Sequence, residues 1–113
     1  MQNFLIVNEK TKKKIASYMP TTNEISNLAD FFQNFSDLSR LKIATLLSIS
    51  ELCVGDISII LKMNQTTVSH QLQILRTKKI VEFRRSGKII LYKIKNKHFN
   101  DLMLSAVNTL KIS

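Results

Sequence analysis

The stretch ELCVGDISIILKMNQTTVSHQLQILRTKK, running from Glu51 to Lys79, decides how the rest of the chain is read. It predicts two short helices joined by a tight polar turn. In the second, Val68, Leu72 and Leu75 recur at i, i+4 and i+7 and form one apolar stripe. Gln65, Thr66, Thr67, Ser69, His70 and Gln73 fall on the other side. A helix face that only meets water usually carries Lys and Glu. This one carries short, mostly uncharged donors and acceptors, the groups that pair with base edges. The spacing therefore predicts a recognition helix within a helix-turn-helix.

Upstream, residues 1–21 read as a basic arm or a short helix. Lys10, Lys12, Lys13 and Lys14 cluster there, and Pro20 marks a break. From residue 22 to 113 the pattern is that of one folded domain. Ile25, Leu28, Ala29, Phe32 and Phe35 form a helical stripe, with Thr22 or Asn23 as its cap. Ser36-Asp37 interrupts and caps a second helix that buries Leu38, Leu41, Ala44 and Leu47 and leaves Arg40 and Lys42 outside. A short helix over roughly Cys53 to Lys62 buries Val54, Ile57, Ile60 and Leu61. Asn64 caps the recognition helix, which runs to about Lys78.

Downstream the period changes to two. Val81, Phe83 and Arg85 alternate with Glu82 and Arg84; beyond Ser86-Gly87, Ile90, Tyr92 and Ile94 alternate with Leu91 and Lys93. Two such runs around a glycine-containing turn predict a β-hairpin with a basic tip, Arg84 to Lys88. Placed directly after a recognition helix, the hairpin is a wing whose tip suits a phosphate backbone. Asn96 then caps a last helix with Phe99, Leu102, Met103, Ala106, Val107 and Leu110 on one face. The winged domain already has a core, so this face, with Ile25, Leu28 and Phe32 of the first stripe, is expected to join two subunits; folding back onto its own subunit is the alternative. The fold class is mainly α with a small β-hairpin, ordered α-α-α-α-β-β-α, and dimeric.

Charge agrees with that reading. Of the formal net charge of +9, the segment Arg76–Lys97 holds +8, with nine basic residues against Glu82 alone. Such a balance implies an anionic partner, nucleic acid or a membrane surface. No basic amphipathic helix supports the membrane reading. The only glycines, Gly55 and Gly87, make no phosphate-cradling loop, and no nucleophile is paired with a base, so no enzyme is expected. One cysteine excludes an intramolecular disulfide, and nothing reads as a signal peptide or spanning segment, so the expected location is the cytoplasm with Cys53 reduced.

With its elements in this order, the chain resembles the ArsR/SmtB family of winged-helix metal-sensing repressors over about residues 25–110. The resemblance rests on LADFF (28–32), SDLSRLKI (36–43), ELCVGDI (51–57), TVSHQL (67–72) and RRSGK (84–88) leading into Leu91-Tyr92. It implies a homodimeric repressor on an imperfect palindrome in double-stranded promoter DNA. Gln65, Thr66, Thr67, Ser69, His70 and Gln73 would read the major groove, Arg84, Arg85 and Lys88 would hold the wing on the backbone, and Arg40 and Lys42 would add phosphate contacts.

The resemblance also locates metal sites, and the residues there are poor ligands. The family's site on the last helix corresponds to Asn96, His98, Thr109 and Ile112, of which only His98 suits zinc. Its site on the short helix corresponds to Cys53-Val54-Gly55-Asp56. Relatives complete such a site with Cys or His from the arm, and residues 1–24 contain neither. Cys53, Asp56 and His98 are the remaining weak candidates; no metal and no cofactor is expected, and the sequence identifies no effector. The alternative is a thiol- or metal-responsive repressor acting through Cys53.

Overall fold

In the computed structural model, which describes residues 6–112, the elements follow in the order α1 (Glu9–Tyr18), α2 (Thr22–Gln33), α3 (Leu38–Ile49), α4 (Val54–Leu61), α5 (Gln65–Thr77), β1 (Val81–Ser86), β2 (Ile89–Ile94) and α6 (Lys97–Ile112). The chain divides into two units, residues 1–33 and 34–113.

In the first unit, α1 is the short-helix form of the N-terminal segment. Asn8 caps it by accepting from Thr11 N–H at 2.8 Å, and Glu9 lies at its positive end. Pro20 follows the last turn closely and cannot continue it. The cap of α2 is Thr21 rather than Thr22 or Asn23. Thr21 Oγ1 accepts from Glu24 N–H at 3.1 Å, and Glu24 Oε1 accepts from Thr21 N–H at 3.0 Å, a reciprocal capping box. The bond from Thr21 N–H, with the Thr21 hydroxyl beside it, holds the Glu24 carboxyl below the usual glutamate range. Neither helix buries a residue.

In the second unit, Asp37 caps α3 by accepting from Arg40 N–H at 2.9 Å. The core joins Ile43, Ala44 and Leu47 of α3 to Ile57 of α4 and to Val68, Leu72 and Leu75 of α5, closed by Ile80, Val81 and Ile94; none is more than 6% exposed. Each large member contributes about 1.5–3 kcal/mol by leaving water. Of the expected core residues, Leu41, Val54 and Leu61 are half-buried and two are exposed. Leu38 is 65% exposed, because the inward face of α3 is centred on Ile43, Ala44, Leu47 and Ser48. Ile60 is 54% exposed, since the inward face of α4 is centred on Ile57, with Val54 and Leu61 half-buried beside it. Leu38, Leu41, Thr45, Ile49 and Leu61 line a shallow apolar groove between α3 and α4.

The turn of the helix-turn-helix is made by Lys62, at φ 54° and ψ 46°, and by Ser58, whose hydroxyl donates to the Met63 carbonyl. Asn64 then starts α5 by accepting from Thr67 N–H at 3.0 Å. The hairpin pairs Val81 with Ile94, Phe83 with Tyr92 and Ser86 with Ile89. Gly87, at φ +61°, occupies the first position of the two-residue turn, where a side chain would be strained. Leu52, ahead of α4, adds a bridge to β2: its N–H donates to the Tyr92 carbonyl at 3.1 Å, and Tyr92 N–H donates back at 2.8 Å. Asn96 caps α6 by accepting from Phe99 N–H at 3.0 Å. This helix packs on α3 and β2, with the Phe99 ring stacked on Phe35 at 5.5 Å.

Candidate nucleic-acid interface

The two faces of α5 separate as their residue types require. Val68, Leu72 and Leu75 are buried, whereas Gln65, Thr66, Thr67, Ser69, His70 and Gln73 are all exposed on the opposite side. One polar residue departs from this division. Gln71 is only 8% exposed and accepts from Arg40 Nε–H at 3.0 Å. Its position was legible: Gln71 lies three residues after Val68 and four before Leu75, on the apolar stripe.

The basic residues sort into two groups. Arg84 grips Glu51 through both its Nε–H and Nη2–H, at 2.9 and 2.8 Å. The facing guanidinium holds the Glu51 carboxyl below its ordinary range, and Glu51 raises that of Arg84. Arg76 lies over the Phe83 ring at 4.2 Å, a cation–π contact tying the end of α5 to β1. Lys93 pairs with Glu82 at 3.6 Å. Arg40 is turned inward, donating also to the Asn34 carbonyl at 3.1 Å. By contrast, Lys42, Lys78, Arg85 and Lys88 are exposed and have no ion pair among the described residues. The contacts of Arg84 and Arg76 hold the wing against the stretch before α4 and against α5. Lys88 and Arg85 are left at its tip.

The metal-site residues do not assemble. Cys53 is the half-buried N-terminal cap residue of α4, and its side chain makes no cap hydrogen bond; Asp56 is exposed one turn on. His98 is exposed in the first turn of α6. Asn96 is committed to its cap, and the Thr109 hydroxyl donates to the Ser105 carbonyl at 2.9 Å. The side chain of Ile112 lies outside the described residues. Among the described residues no three of His, Cys, Asp and Glu come together. Such a donor set does not fit a tetrahedral zinc site.

Apolar surface remains on both expected interface helices. Ile25, Leu28 and Phe32 of α2 are exposed. On α6, Phe99, Met103 and Val107 are half-buried while Leu102, Ala106 and Leu110 are exposed. No helix among the described residues is long and apolar enough to cross a membrane.

Comparison with known proteins agrees with this architecture. Residues 37–82 match the family described as bacterial regulatory proteins of the arsR family. A transcriptional repressor SmtB homolog of Synechocystis sp. is 30% identical over 96% of this chain and 82% of its own length. A cadmium resistance transcriptional regulatory protein CadC homolog of Staphylococcus aureus is 34% identical over 86% of this chain and 77% of its own. The solution structure of a homodimeric winged helix-turn-helix DNA-binding domain from Mycobacterium bovis, a possible ArsR-family transcriptional regulator, superposes with a TM-score of 0.66 at 27% identity. It covers 83% of this chain and 90% of that one. A recognition helix tied to a basic wing, on a chain alike over nearly all its length to regulators of one kind, has one reading: the chain is a winged helix-turn-helix protein of the bacterial arsR regulatory family.

Proposed function

We propose that this chain is a cytoplasmic, homodimeric, DNA-binding transcriptional repressor that recognises an imperfect palindrome in a promoter. The observation that carries the reading is the exposed, hydrogen-bonding face of α5 standing over a buried Val68–Leu72–Leu75 stripe. In the major groove, Gln65, Thr66, Thr67, Ser69, His70 and Gln73 present amide, hydroxyl and imidazole groups to base edges. Arg85 and Lys88 at the wing tip and Lys42 on α3 contact phosphates, which position the protein without carrying sequence information. The exposed apolar faces of α2 and α6 pair two copies, so that two recognition helices meet two half-sites. The Synechocystis relative named as a transcriptional repressor, and the homodimeric Mycobacterium bovis domain, support this assignment.

In the same reading the family's metal input is lost, because Asn96, His98 and Thr109 offer a single good ligand and, among the described residues, no third ligand joins Cys53 and Asp56. Zinc and cadmium then leave DNA affinity unchanged. The direct test selects a binding sequence from a random duplex pool and compares its affinity with random duplex at one salt concentration. Equal affinities would end the specific-repressor reading. Lys88→Ala, which removes one phosphate contact from each subunit, is expected to weaken both duplexes alike and to lower the magnitude of the dimer's salt slope by about 2.

A further inference from the structure

Buried Gln71 and half-buried Arg40 form a polar link whose place in the fold is informative. Arginine carries only donors, so the Gln71 oxygen must be the atom facing Arg40 Nε–H, at 3.0 Å. The same guanidinium donates to the Asn34 carbonyl at 3.1 Å, one residue beyond the end of α2. Its own backbone N–H is held by Asp37 at 2.9 Å. The guanidinium is thus directed inward at two acceptors.

We infer that Arg40 is a positioning residue that sets the rotation of the recognition helix through Gln71, and that it does not act as a phosphate contact. The inference rests on the DNA-reading role proposed for α5. Val68, Leu72 and Leu75 hold that helix by apolar contact, which is non-directional and tolerates small rotations and slides. A hydrogen bond from a planar guanidinium is directional, and the Arg40 fork is itself fixed at a second point. Gln71 lies between His70 and Gln73, and two residues beyond Ser69, on the same short helix. Fixing Gln71 therefore fixes the angle at which those three side chains are presented. A polar pair at the edge of the core is a well-placed device for specifying one arrangement of a helix among near-equivalent ones.

The test uses the full chain and two duplexes of equal length, one selected by the wild-type protein from a random pool and one of random sequence. Arg40→Lys keeps the charge but lacks the fork that reaches both acceptors; Gln71→Met removes the acceptor at similar volume. Each is expected to weaken the selected duplex by about tenfold, the scale of one lost base contact. Random duplex should change by less than about twofold, with an unaltered salt slope. The double variant should be no weaker than the worse single one, since both remove the same link. Hydrogen exchange in the DNA-free protein should quicken at the amides of α5 in both variants, which checks the link without DNA. The inference is overturned if Gln71→Met is silent in both measurements. It is equally overturned if Arg40→Met weakens both duplexes alike with a salt slope smaller by about two, the signature of one lost phosphate contact in each subunit. A wild-type protein that selects no sequence removes the DNA-reading role and this inference together. A wild type that selects while the variants match it removes the inference alone.

Discussion

The helices α5 and α6 begin in the same way and end with opposite faces at work. Asn64 and Asn96 each accept a hydrogen bond from the backbone N–H three residues on, both at 3.0 Å. Each helix then carries apolar residues at three- and four-residue spacing. In α5 that stripe is sealed in the core. In α6, which packs on α3 and β2, Leu102 stays 55% exposed and Leu110 73% exposed. Helical periodicity of the same kind has given a finished contact in one place and an open one in the other. The unfinished side of α5 is its polar face, suited to DNA, and that of α6 is its apolar face, suited to another protein surface.

The largest expected difference is in the core. Leu72→Ala should cost about 2–5 kcal/mol in urea unfolding, whereas Leu110→Ala, at an open position, should cost well under that. Equal costs would mean that α6 is as deeply packed as α5. Next comes association: Leu102→Glu should leave the subunit folded, by circular dichroism, while sedimentation velocity moves from dimer towards monomer. An unmoved sedimentation coefficient would place the dimer interface away from α6. The smallest expected contrast lies at the caps. Asn64→Ala and Asn96→Ala should each cost about 1 kcal/mol, and only the first should also reduce affinity for a selected duplex, because it loosens the turn before Gln65.

Caps and periods carried most of this architecture in the sequence. Asp37, Asn64 and Asn96 each sit before an apolar repeat, and the switch to period two at Val81 is unambiguous because Gly87 divides two matched runs. The orientation of α4 was not legible. With Ile57, Ile59, Ile60 and Leu61 in eight residues, that helix is apolar on nearly every side, so spacing alone cannot say which face turns inward. Leu38 misled for a related reason: it fits the stripe but stands in the first turn of α3, at the edge of the packed face. For the interface, residue type located the polar face of α5 and the wing. Which arginines are engaged within the protein depends on partners distant in sequence. Arg84 meets Glu51 across 33 positions and Arg40 meets Gln71 across 31, separations that no local pattern encodes. The positive φ of Lys62 and Lys79 was equally hidden, since glycine usually marks such positions.

The short bridge between Leu52 and Tyr92 has a consequence for protein engineering. Its two backbone hydrogen bonds fasten the beginning of the helix-turn-helix to the returning strand of the wing, so residues 52–92 form a loop closed at its neck. Such a segment is a natural cassette for transplantation between regulators, because the closure depends on main-chain atoms that any sequence supplies. A chimera built on this cassette would carry its reading surface intact, provided the host offers an arginine where Arg40 stands and a glutamate where Glu51 meets Arg84, and the cassette keeps Gln71 and Arg84.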